Sequence, residues 1–321
     1  MTERWMITIQ TSDYLYTPVK AEGITLESGR SGGPARLTFR AVNDTVLSFH
    51  EGDTVTLYCG ADVIFTGFVF SKRRAFGGVI TVTAYDQIRY LKNRDIYAYE
   101  GLTATGLLSQ IAGDWGLNCG VLTETGYVLP DRIENGRPLL DMIQTALDIT
   151  RKQTGEVFVF YDQAGALRLS HISEMAVDTL LHAGSIGNFD YTSTIDRDAY
   201  SAVRLYRTGS DEGETVFHEA RREDLIRRWG MLRHFARLEE EAHGPETAEQ
   251  LMGVYGRKTR LLRLTDVVGD RRVRGGSMLP VELNLGDIIV TRFLMAERVV
   301  HRISEQAHTM ELTLVGGDFV E

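Results

Sequence analysis

Two short stretches of the sequence carry residue types that enzymes use in hydrolysis. The segment "GRSGG", 29–33, has the GxSxG spacing of esterases, and "HEARR", 218–222, begins like the zinc-protease pattern HExxH. An esterase serine sits on a tight turn from a strand into a helix, but Ser31 is followed by two glycines, a proline and a strand-like run, which favours a surface turn. The second zinc-binding histidine would fall at Arg222, which cannot bind zinc, so this motif fails.

The eight histidines give no further catalytic pattern. The closest pairs along the chain are His171 with His182 and His301 with His308, and they form no cluster. A position on the surface or on a strand face is therefore the preferred interpretation for each histidine. Residues from distant positions could still assemble a catalytic group in space, and a sequence does not reveal such a group.

Cysteines and tryptophans also favour structural roles. Cys59 and Cys119 lie in different segments without CxxC spacing, so we expect two buried free thiols and no disulfide or zinc site. Trp115 and Trp229 stand beside glycines, where packing against the end of an element is preferred over a ligand platform. No phosphate-binding loop is present in the sequence. We therefore predict no catalytic, cofactor-binding or metal-binding residues, and no cofactor.

The composition is that of a globular protein with an acidic balance. Hydrophobic residues make up 43% of the chain and the formal net charge is -9, which argues against a general nucleic-acid-binding surface. Arginines are dense from Arg204 to Arg274 but are interleaved with acidic residues, so we interpret this region as a mixed solvated or interfacial face. No apolar run approaches the roughly 18 residues of a membrane-spanning helix, and "MTERWMITIQ" has no secretion signal. A soluble chain made in the cytoplasm is expected.

The elements that would position any site begin with strands. From Trp5 to Tyr90, the runs "WMITIQ", "ARLTFRAV", "DTVTLYCG", "DVIFTGFVF" and "VITVTAYD" alternate with period two and are separated by glycine-rich turns. This pattern is typical of antiparallel strands in a small barrel or sandwich. We predict a first β-barrel domain over 1–94.

A helical and mixed α/β insertion is predicted over 95–198. Thr103 is a plausible N-cap for one helix, and Pro138 suits the first position of a second helix that ends before Gly155. The run "EVFVFYDQAGALRLSH" predicts a β-hairpin with its turn at "DQAG".

The remaining residues, 199–321, are predicted to form a second β-barrel domain containing one helix. The helix is expected over 247–258, because Thr247 and Gln250 fit a capping box, and strands follow to the end of the sequence. The predicted fold class is α+β, mainly β, with two related antiparallel barrels and the insertion between them.

A duplication is suggested by two Gly-Asp pairs. Gly52 and Asp53 precede three strands that end at Asp86. Gly286 and Asp287 precede a strand, a predicted turn near "FLMAE", a second strand and a third that ends at Asp318. The order and spacing of the elements agree, which favours one β-domain used twice.

Ordered segments of the sequence resemble one protein family. They run from "VTAYDQIRYLKNRD" and "LTATGLLSQIAGDWGL" through "GYVLPDRIENGRPLLDMIQTALDITRKQTGEVFVFYDQAGALRL" to "RRWGMLRHF" and "DRRVRGGSMLPVELNLGD". Over about 85–318 the chain resembles the baseplate hub proteins of contractile phage tails and phage-tail-like bacteriocins, in particular the Gram-positive prophage hubs. These are related to trimeric myophage hubs and type VI secretion tips.

The resemblance implies a structural function. Such hubs are homotrimers, and three chains with two related barrels each give a pseudo-hexameric ring that adapts a hexameric tail tube to a trimeric central spike. The implied partners are the tube protein, a separate spike protein and other baseplate and tape-measure proteins, without specific nucleic-acid binding or membrane insertion. The implied location is the tail baseplate of a virion or bacteriocin particle that assembles in the bacterial cytoplasm.

Two other functions stay open. A tail-associated cell-wall hydrolase is the main alternative, and it would need a pair of carboxylates, a Cys/His pair or metal ligands. A β-barrel ligand carrier would need a large, closed apolar pocket. The hub function predicts no enzymatic activity.

Overall fold

The structure is a computed structural model that describes residues 4–30, 33–43, 46–208, 215–238, 243–286 and 288–315. Two compact units are present. One unit combines Met1–Phe189 with Arg263–Glu321, and the other is Asp190–Leu262. Three residues of the sequence motifs discussed above lie outside the described residues: Ser31, Asp287 and Asp318.

The first seven strands follow the period-two pattern of the sequence. They are β1 Trp5–Gln10, β2 Leu15–Tyr16, β3 Lys20–Gly29, β4 Arg36–Val42, β5 Thr54–Cys59, β6 Asp62–Ala75 and β7 Val79–Tyr85. In β5 and β7, buried positions alternate strictly with half-buried ones, because successive side chains of a strand point to opposite faces. The buried face carries Ile7, Phe39 and Leu57 into a common apolar core.

The next segment mixes short strands with two helices. Its elements are β8 Arg94–Tyr99, α1 Ala104–Asp114, β9 Cys119–Leu122, β10 Arg132–Pro138, α2 Leu139–Thr154, β11 Phe158–Gln163, β12 Ala166–His171, β13 Leu181–His182 and β14 Asn188–Thr194, with 3-10 helices at Gln87–Lys92 and Ile172–Met175. β8 pairs with β10, and β9, β12 and β11 form a three-stranded sheet. Leu107 of α1, Ile143 of α2 and Leu169 of β12 share a second core.

The ends of α1 and α2 confirm most of their predicted signals. The Thr103 hydroxyl accepts a hydrogen bond from the Gly106 N–H at 3.1 Å, as an N-cap does. Gly155 ends α2 in the left-handed region, with φ of +77°. Pro138 differs slightly from the prediction, because it is the residue before α2 and not its first helical residue.

The unit Asp190–Leu262 has a small sheet and a core of its own. Its elements are β15 Ala202–Thr208, β16 Thr215–Arg221, α3 Glu223–Trp229, β17 Arg233–Arg237 and α4 Gly244–Tyr255. The sheet order is β16-β15-β17, and Val203 and Leu205 of β15 pack with Ala248 and Met252 of α4.

The start of α4 corrects a sequence prediction. Thr247 was expected to begin this helix in a capping box, but His243 is the N-cap and Pro245 lies in the first turn. The Thr247 hydroxyl donates to the His243 carbonyl oxygen at 2.8 Å, so Thr247 lies inside the helix. A proline in the first turn is a stronger signal for the start of a helix than the capping-box pattern. The N–H groups of that turn have no partner within the helix, so a proline there loses no hydrogen bond.

The last strands join the first ones in one large sheet. They are β18 Thr259–Val268, β19 Met278–Asn284, β20 Ile289–Ile303 and β21 His308–Val315. The main order of this 13-stranded sheet is β14-β18-β21-β20-β3-β4-β7-β6-β5-β1-β2, with β19 paired to β20 and β13 paired to β19. The central join is the antiparallel pair of β20 with β3, from Arg298 opposite Gly29 to Ile303 opposite Ile24.

The turn predicted near "FLMAE" is wrong. Residues 289–303 form the single strand β20, in which the register against β21 shifts between Ala296 and Arg298. Such an irregularity bends a strand without ending it, which explains why a break in the alternation looked like a turn.

The fold is mainly antiparallel β, as the sequence predicted. The pairing order of the described strands closes no barrel, so the predicted two-barrel arrangement is not confirmed. The domain ranges 1–94, 95–198 and 199–321 stay a prediction. The pairing of β3 with β20 places the first and last strands in one compact unit, but this grouping does not test where the domains begin and end.

Candidate functional site

The loop 269–277 between β18 and β19 is the candidate functional site. Its sequence, "GDRRVRGGS", places three arginines and three glycines where the chain passes from one strand of the large sheet to another. It lies beside a cavity of about 510 Å³ whose lining includes Asp86, Asp162 and His301. We call it the arginine loop.

Arg274 is the innermost arginine of the loop. Its guanidinium carbon lies 4.0 Å from the centroid of the Tyr161 ring, close enough for a cation–π interaction. The same guanidinium donates a hydrogen bond to the backbone carbonyl oxygen of Asp162. Burial and the like charge of Arg168 lower the pKa of Arg274, while the charges of Asp86 and Asp162 act to raise it. The arginine loop is thereby attached to the β11–β12 hairpin.

Two carboxylates share this region. Both oxygens of Asp86 accept backbone hydrogen bonds, from Ala35 at 2.9 Å and from Ile88 at 3.1 Å. Both oxygens of Asp162 accept as well, from the Gln87 amide at 2.7 Å and from the Gly165 N–H at 2.8 Å.

Burial is the main cause of the shifted acidity of both carboxyl groups. It raises the pKa of Asp162, and it raises the pKa of Asp86 well above its usual value, with help from the charge of Asp162. A raised carboxyl pKa next to a cavity is a mark of some active sites. Here, all four oxygens are occupied by donors that fix the start of a 3-10 helix and a hairpin turn, so the geometry is that of a structural network.

Two glycines let the arginine loop approach its neighbours closely. The Gly275 N–H donates to the Ser28 hydroxyl at 3.0 Å, and a Cβ on Gly275 would lie 2.3 Å from the backbone carbon of Gly29. At Gly276, with φ of +91°, a Cβ would lie 2.4 Å from Val159. Only glycine fits either position, so these two residues fix the loop against β3 and against β11.

His301 closes the inner side of the site. It is 4% exposed, and its Nε2 lies 2.8 Å from the Val273 carbonyl oxygen, which can only accept. His301 Nδ1 then accepts from His308 Nε2 at 2.9 Å. Burial, followed by the neighbouring His308, lowers the pKa of His301 to about 4. Sequence spacing alone did not indicate that these two histidines form a hydrogen bond.

Ion pairs hold the outer part of the loop. Arg271 pairs with Asp62 of β6 at 2.7 Å, and Arg272 pairs with Asp178 and Asp270 at 2.7 Å each. Burial acts to raise the pKa of Asp270, but hydrogen bonds from Arg272 and Thr179 outweigh it and lower this pKa to about 2. The arginine loop thus contacts the first strands, the hairpin and the segment before β13, all within one unit.

The residues that the sequence singled out lie apart from this site. "HEARR" begins in strand β16 and not in a helix, and Glu219 there pairs with Arg221 at 2.8 Å. Cys59 is buried as predicted, whereas Cys119 is exposed on the short strand β9, so the prediction of a buried thiol is wrong for Cys119. Trp115 caps the end of α1 and packs on the second core, as predicted.

The interpretation of the arginine-rich region needs one correction. Arg274 was included in a solvated or interfacial face, but it lies in the internal network just described. Arg274 is buried by contacts with residues more than 100 positions away in the sequence. The charge pattern close to Arg274 in the sequence does not indicate such contacts.

The described residues contain neither a metal-ion cluster nor a membrane-spanning helix. Among the six described ranges, no three His, Cys, Asp or Glu side chains are placed to hold a metal ion. Over the same ranges, none of the helices has the length and apolar character needed to span a membrane.

Comparison with solved structures defines the class of the fold. The 43 kDa tail protein of prophage MuSo2 from Shewanella oneidensis superposes with a TM-score of 0.72 at 14% identity, over 98% of this chain and 100% of that one. The E. coli c3393 protein, a type VI secretion component similar to the T4 tail proteins gp27 and gp5, has a TM-score of 0.58 at 9% identity, over 98% and 77%. The fold is that of these phage tail and type VI secretion proteins.

Sequence comparison defines the family. The family model described as YqbQ-like matches residues 24–315, so the chain belongs to this family. Two Bacillus subtilis proteins are each 25% identical to it: YqbQ over 304 residues, 92% of this chain and 91% of that one, and XkdQ of the phage-like element PBSX over 306 residues, 92% of each. The resemblance to prophage baseplate hubs that the sequence indicated is confirmed.

Proposed function

We propose that this chain is the structural hub of a contractile-tail baseplate. Three copies form a ring of six similar β-units, and the ring adapts a hexameric tail tube to a trimeric central spike. The two related antiparallel barrels of each chain, as predicted from the sequence, belong to this proposal.

Two similar meanders, connected within one sheet through β3 and β4, carry the proposal. β5, β6 and β7 have 6, 14 and 7 residues, and β19, β20 and β21 have 7, 15 and 8. In each meander, the long middle strand pairs with the preceding strand through its first half and with the following strand through its second half.

The Gly-Asp pairs support the duplication only in part. Gly52 and Gly286 share the same left-handed backbone, with φ of +97° and +98°. Their places differ, because Gly52 precedes the first strand of its meander and Gly286 follows the first strand of the other. The matched strand lengths are therefore the better support for two related units.

The arginine loop gives these units a fixed relationship. It leads directly into β19 of one meander, and its Arg271 pairs with Asp62 of β6 in the other meander. A symmetry adapter transmits load between a tube and a spike, so its repeated units must keep one geometry. A connection held by close backbone contacts and ion pairs suits that role.

The proposed partners follow from the hub role. They are two further copies of the chain, the tail tube protein, a separate trimeric spike, and other baseplate and tape-measure proteins. The proposed location is the baseplate of a virion or bacteriocin particle, with assembly in the bacterial cytoplasm. Specific nucleic-acid binding and membrane insertion are not part of the proposed role.

The hydrolase alternative is less well supported. The carboxylates nearest to a cavity, Asp86 and Asp162, use both oxygens as acceptors for backbone and amide donors. A general acid or base needs a carboxyl that faces a substrate proton.

Native mass spectrometry tests the proposed function. The full chain, alone and co-expressed with the spike protein of its tail, is expected to give a complex with three copies of the chain. Only one or two copies per complex in both samples would contradict the hub proposal.

A further inference from the structure

The hairpin of β6 and β7 ends in a tip that combines an aromatic side chain with unpaired positive charges. Phe76 is fully exposed, with a relative exposure of 110%. Arg73 and Arg74, just before it, are exposed and form no ion pair within the part of the chain that the structure describes. Gly77 and Gly78, with φ of +103° and +72°, form the turn. Phe76, Arg73 and Arg74 together are called the basic tip.

The corresponding turn of the other meander has different chemistry. Between β20 and β21 the chain runs Ser304-Glu305-Gln306-Ala307, with an acidic residue and no aromatic one. The basic tip is therefore not a shared requirement of the two meanders. Arginine and aromatic side chains are also the residue types that contribute most to protein–protein contacts.

A complementary surface lies on the helical part of the same unit. It is an open hollow of about 720 Å³ between β8 and the end of α1, lined by Asp95, Ile96, Asp114 and Trp115 among others. None of the lining residues, all of them described, is a lysine or an arginine. Ile96 is 61% exposed, so the hollow offers apolar as well as acidic groups. We call it the acidic hollow.

The end of α1 makes the hollow more negative than its two carboxylates alone would. The carbonyl groups at a helix C-terminus carry partial negative charge, and a basic residue usually stands there. In α1 that place is taken by Asp114, and its last turn has no basic residue. Asp114 accepts a hydrogen bond from the Tyr97 hydroxyl at 3.0 Å, and burial followed by this hydrogen bond raises the pKa of Tyr97 to about 12. The Tyr97 phenol contributes a hydrogen bond but no positive charge, and no cation among the lining residues balances Asp114.

We propose that the basic tip of one copy docks into the acidic hollow of a second copy. Arg73 and Arg74 would supply the missing cations to Asp95 and Asp114, and Phe76 would cover Ile96 and Trp115. No residue of the basic tip is among the residues that line its own hollow. The contact joins two different surfaces, so it is heterologous and repeats around a ring. This inference rests on the proposed hub oligomer and identifies a contact within it.

A second copy fits the basic tip better than an anionic membrane does. The formal net charge of -9 opposes approach to an anionic membrane and to a second copy alike, so the choice rests on the local fit between the tip and the hollow. The acidic hollow supplies both the opposite charge and the apolar floor that the tip requires.

Cysteine cross-linking tests the contact directly. In a Cys119→Ser background, full chains carrying Phe76→Cys are mixed with full chains carrying Ile96→Cys and oxidised. A disulfide-linked pair is expected from this mixture and not from either variant alone. In a matched control, Gln306→Cys at the other hairpin turn should give no pair with Ile96→Cys. A Phe76→Cys chain that links only to itself, or equal linking by the control, would overturn the proposal.

Sedimentation separates this contact from the hub role. Arg73→Glu with Arg74→Glu should weaken self-association of the full chain by about tenfold or more, and Asp95→Arg added to that variant should recover part of it. Glu305→Arg at the control turn should leave association unchanged. Trimers of undiminished affinity in the Arg73/Arg74 variant would contradict the contact and leave the hub proposal standing. Binding of the chain to phosphatidylglycerol vesicles through Phe76, without any effect on association, would also contradict it.

Discussion

The Arg274 guanidinium lies 4.0 Å from the Tyr161 ring centroid and donates to the carbonyl oxygen of Asp162, 112 positions away in the sequence. This contact connects the loop before the last meander to the hairpin that follows α2. Asp86 and Asp162 lie in the same network, and their charges act to raise the pKa of Arg274 against the effect of its burial.

Replacing Arg274 with methionine should destabilise the fold. Loss of the guanidinium leaves the Asp162 carbonyl without this donor and removes a cation from two buried carboxylates. We expect the free energy of unfolding in urea to fall by about 2–3 kcal/mol. Arg302→Met is the control, because Arg302 and Glu311 pair at 2.8 Å with side chains 56% and 33% exposed, and such ion pairs contribute about 0–1 kcal/mol. Equal stability of the two variants would contradict the role assigned to Arg274.

A methyl group at Gly275 should loosen the arginine loop from β3. Its Cβ would lie 2.3 Å from the Gly29 carbon and 2.6 Å from the Arg30 nitrogen, and these backbone atoms cannot rotate away. We expect Gly275→Ala to lower the free energy of unfolding by more than about 2 kcal/mol. Gly113→Ala in α1 meets no atom within 4 Å and should raise it, by up to about 1 kcal/mol. A neutral Gly275→Ala would show that the close approach is dispensable.

Stability should fall when His301 is forced to take up a proton. Below pH 6.5 the unfolded chain protonates this histidine, whereas the folded chain resists protonation until about pH 4. The unfolded state then binds more protons, so His301 contributes a loss of up to roughly 3 kcal/mol as the pH falls through this window. Asp86 and Asp162 act in the opposite direction, because their raised pKa values favour the neutral carboxyls of the folded state.

The His301→Gln variant isolates this contribution. Its free energy of unfolding, measured from pH 7 to pH 4, should decline less steeply than that of the wild type. Asp270, whose pKa is lowered to about 2, stays ionised in the folded state over that range in both proteins. Parallel pH profiles would show that His301 is not the group responsible.

The purified chain should not degrade cell wall. In a zymogram with peptidoglycan, no clearing is expected, because the oxygens of Asp86 and Asp162 are engaged as acceptors. Clearing that disappears in Asp162→Asn would support the hydrolase alternative over the hub.

Local signals in the sequence predicted local structure well. Thr103 and Gly155 mark helix ends through contacts within four residues, and the β11–β12 hairpin follows from its alternation and its turn. The start of α4 was misplaced although Pro245 marks it, because the capping-box pattern was preferred. The short helix α3 was missed, since seven residues carry too little periodicity to stand out.

The candidate site could not be predicted because its contacts are distant in the sequence. Arg274, Asp86 and Asp162 come from three segments, and nothing near any of them indicates the others. Gly275 and Gly276 offered only a weak signal, because a Gly-Gly pair suits a close backbone approach and a surface turn alike. The bend in β20 was mistaken for a turn, because an irregular strand and a turn both interrupt the period-two alternation of the sequence.

End-on imaging of the assembled protein by electron microscopy tests the central claim most directly. The full chain, alone and co-expressed with its spike, should give a ring with three-fold symmetry and six similar lobes, two from each chain. A persistent monomer or a two-fold dimer in both samples would contradict the hub, and a three-fold ring with only three lobes would contradict the duplicated β-unit.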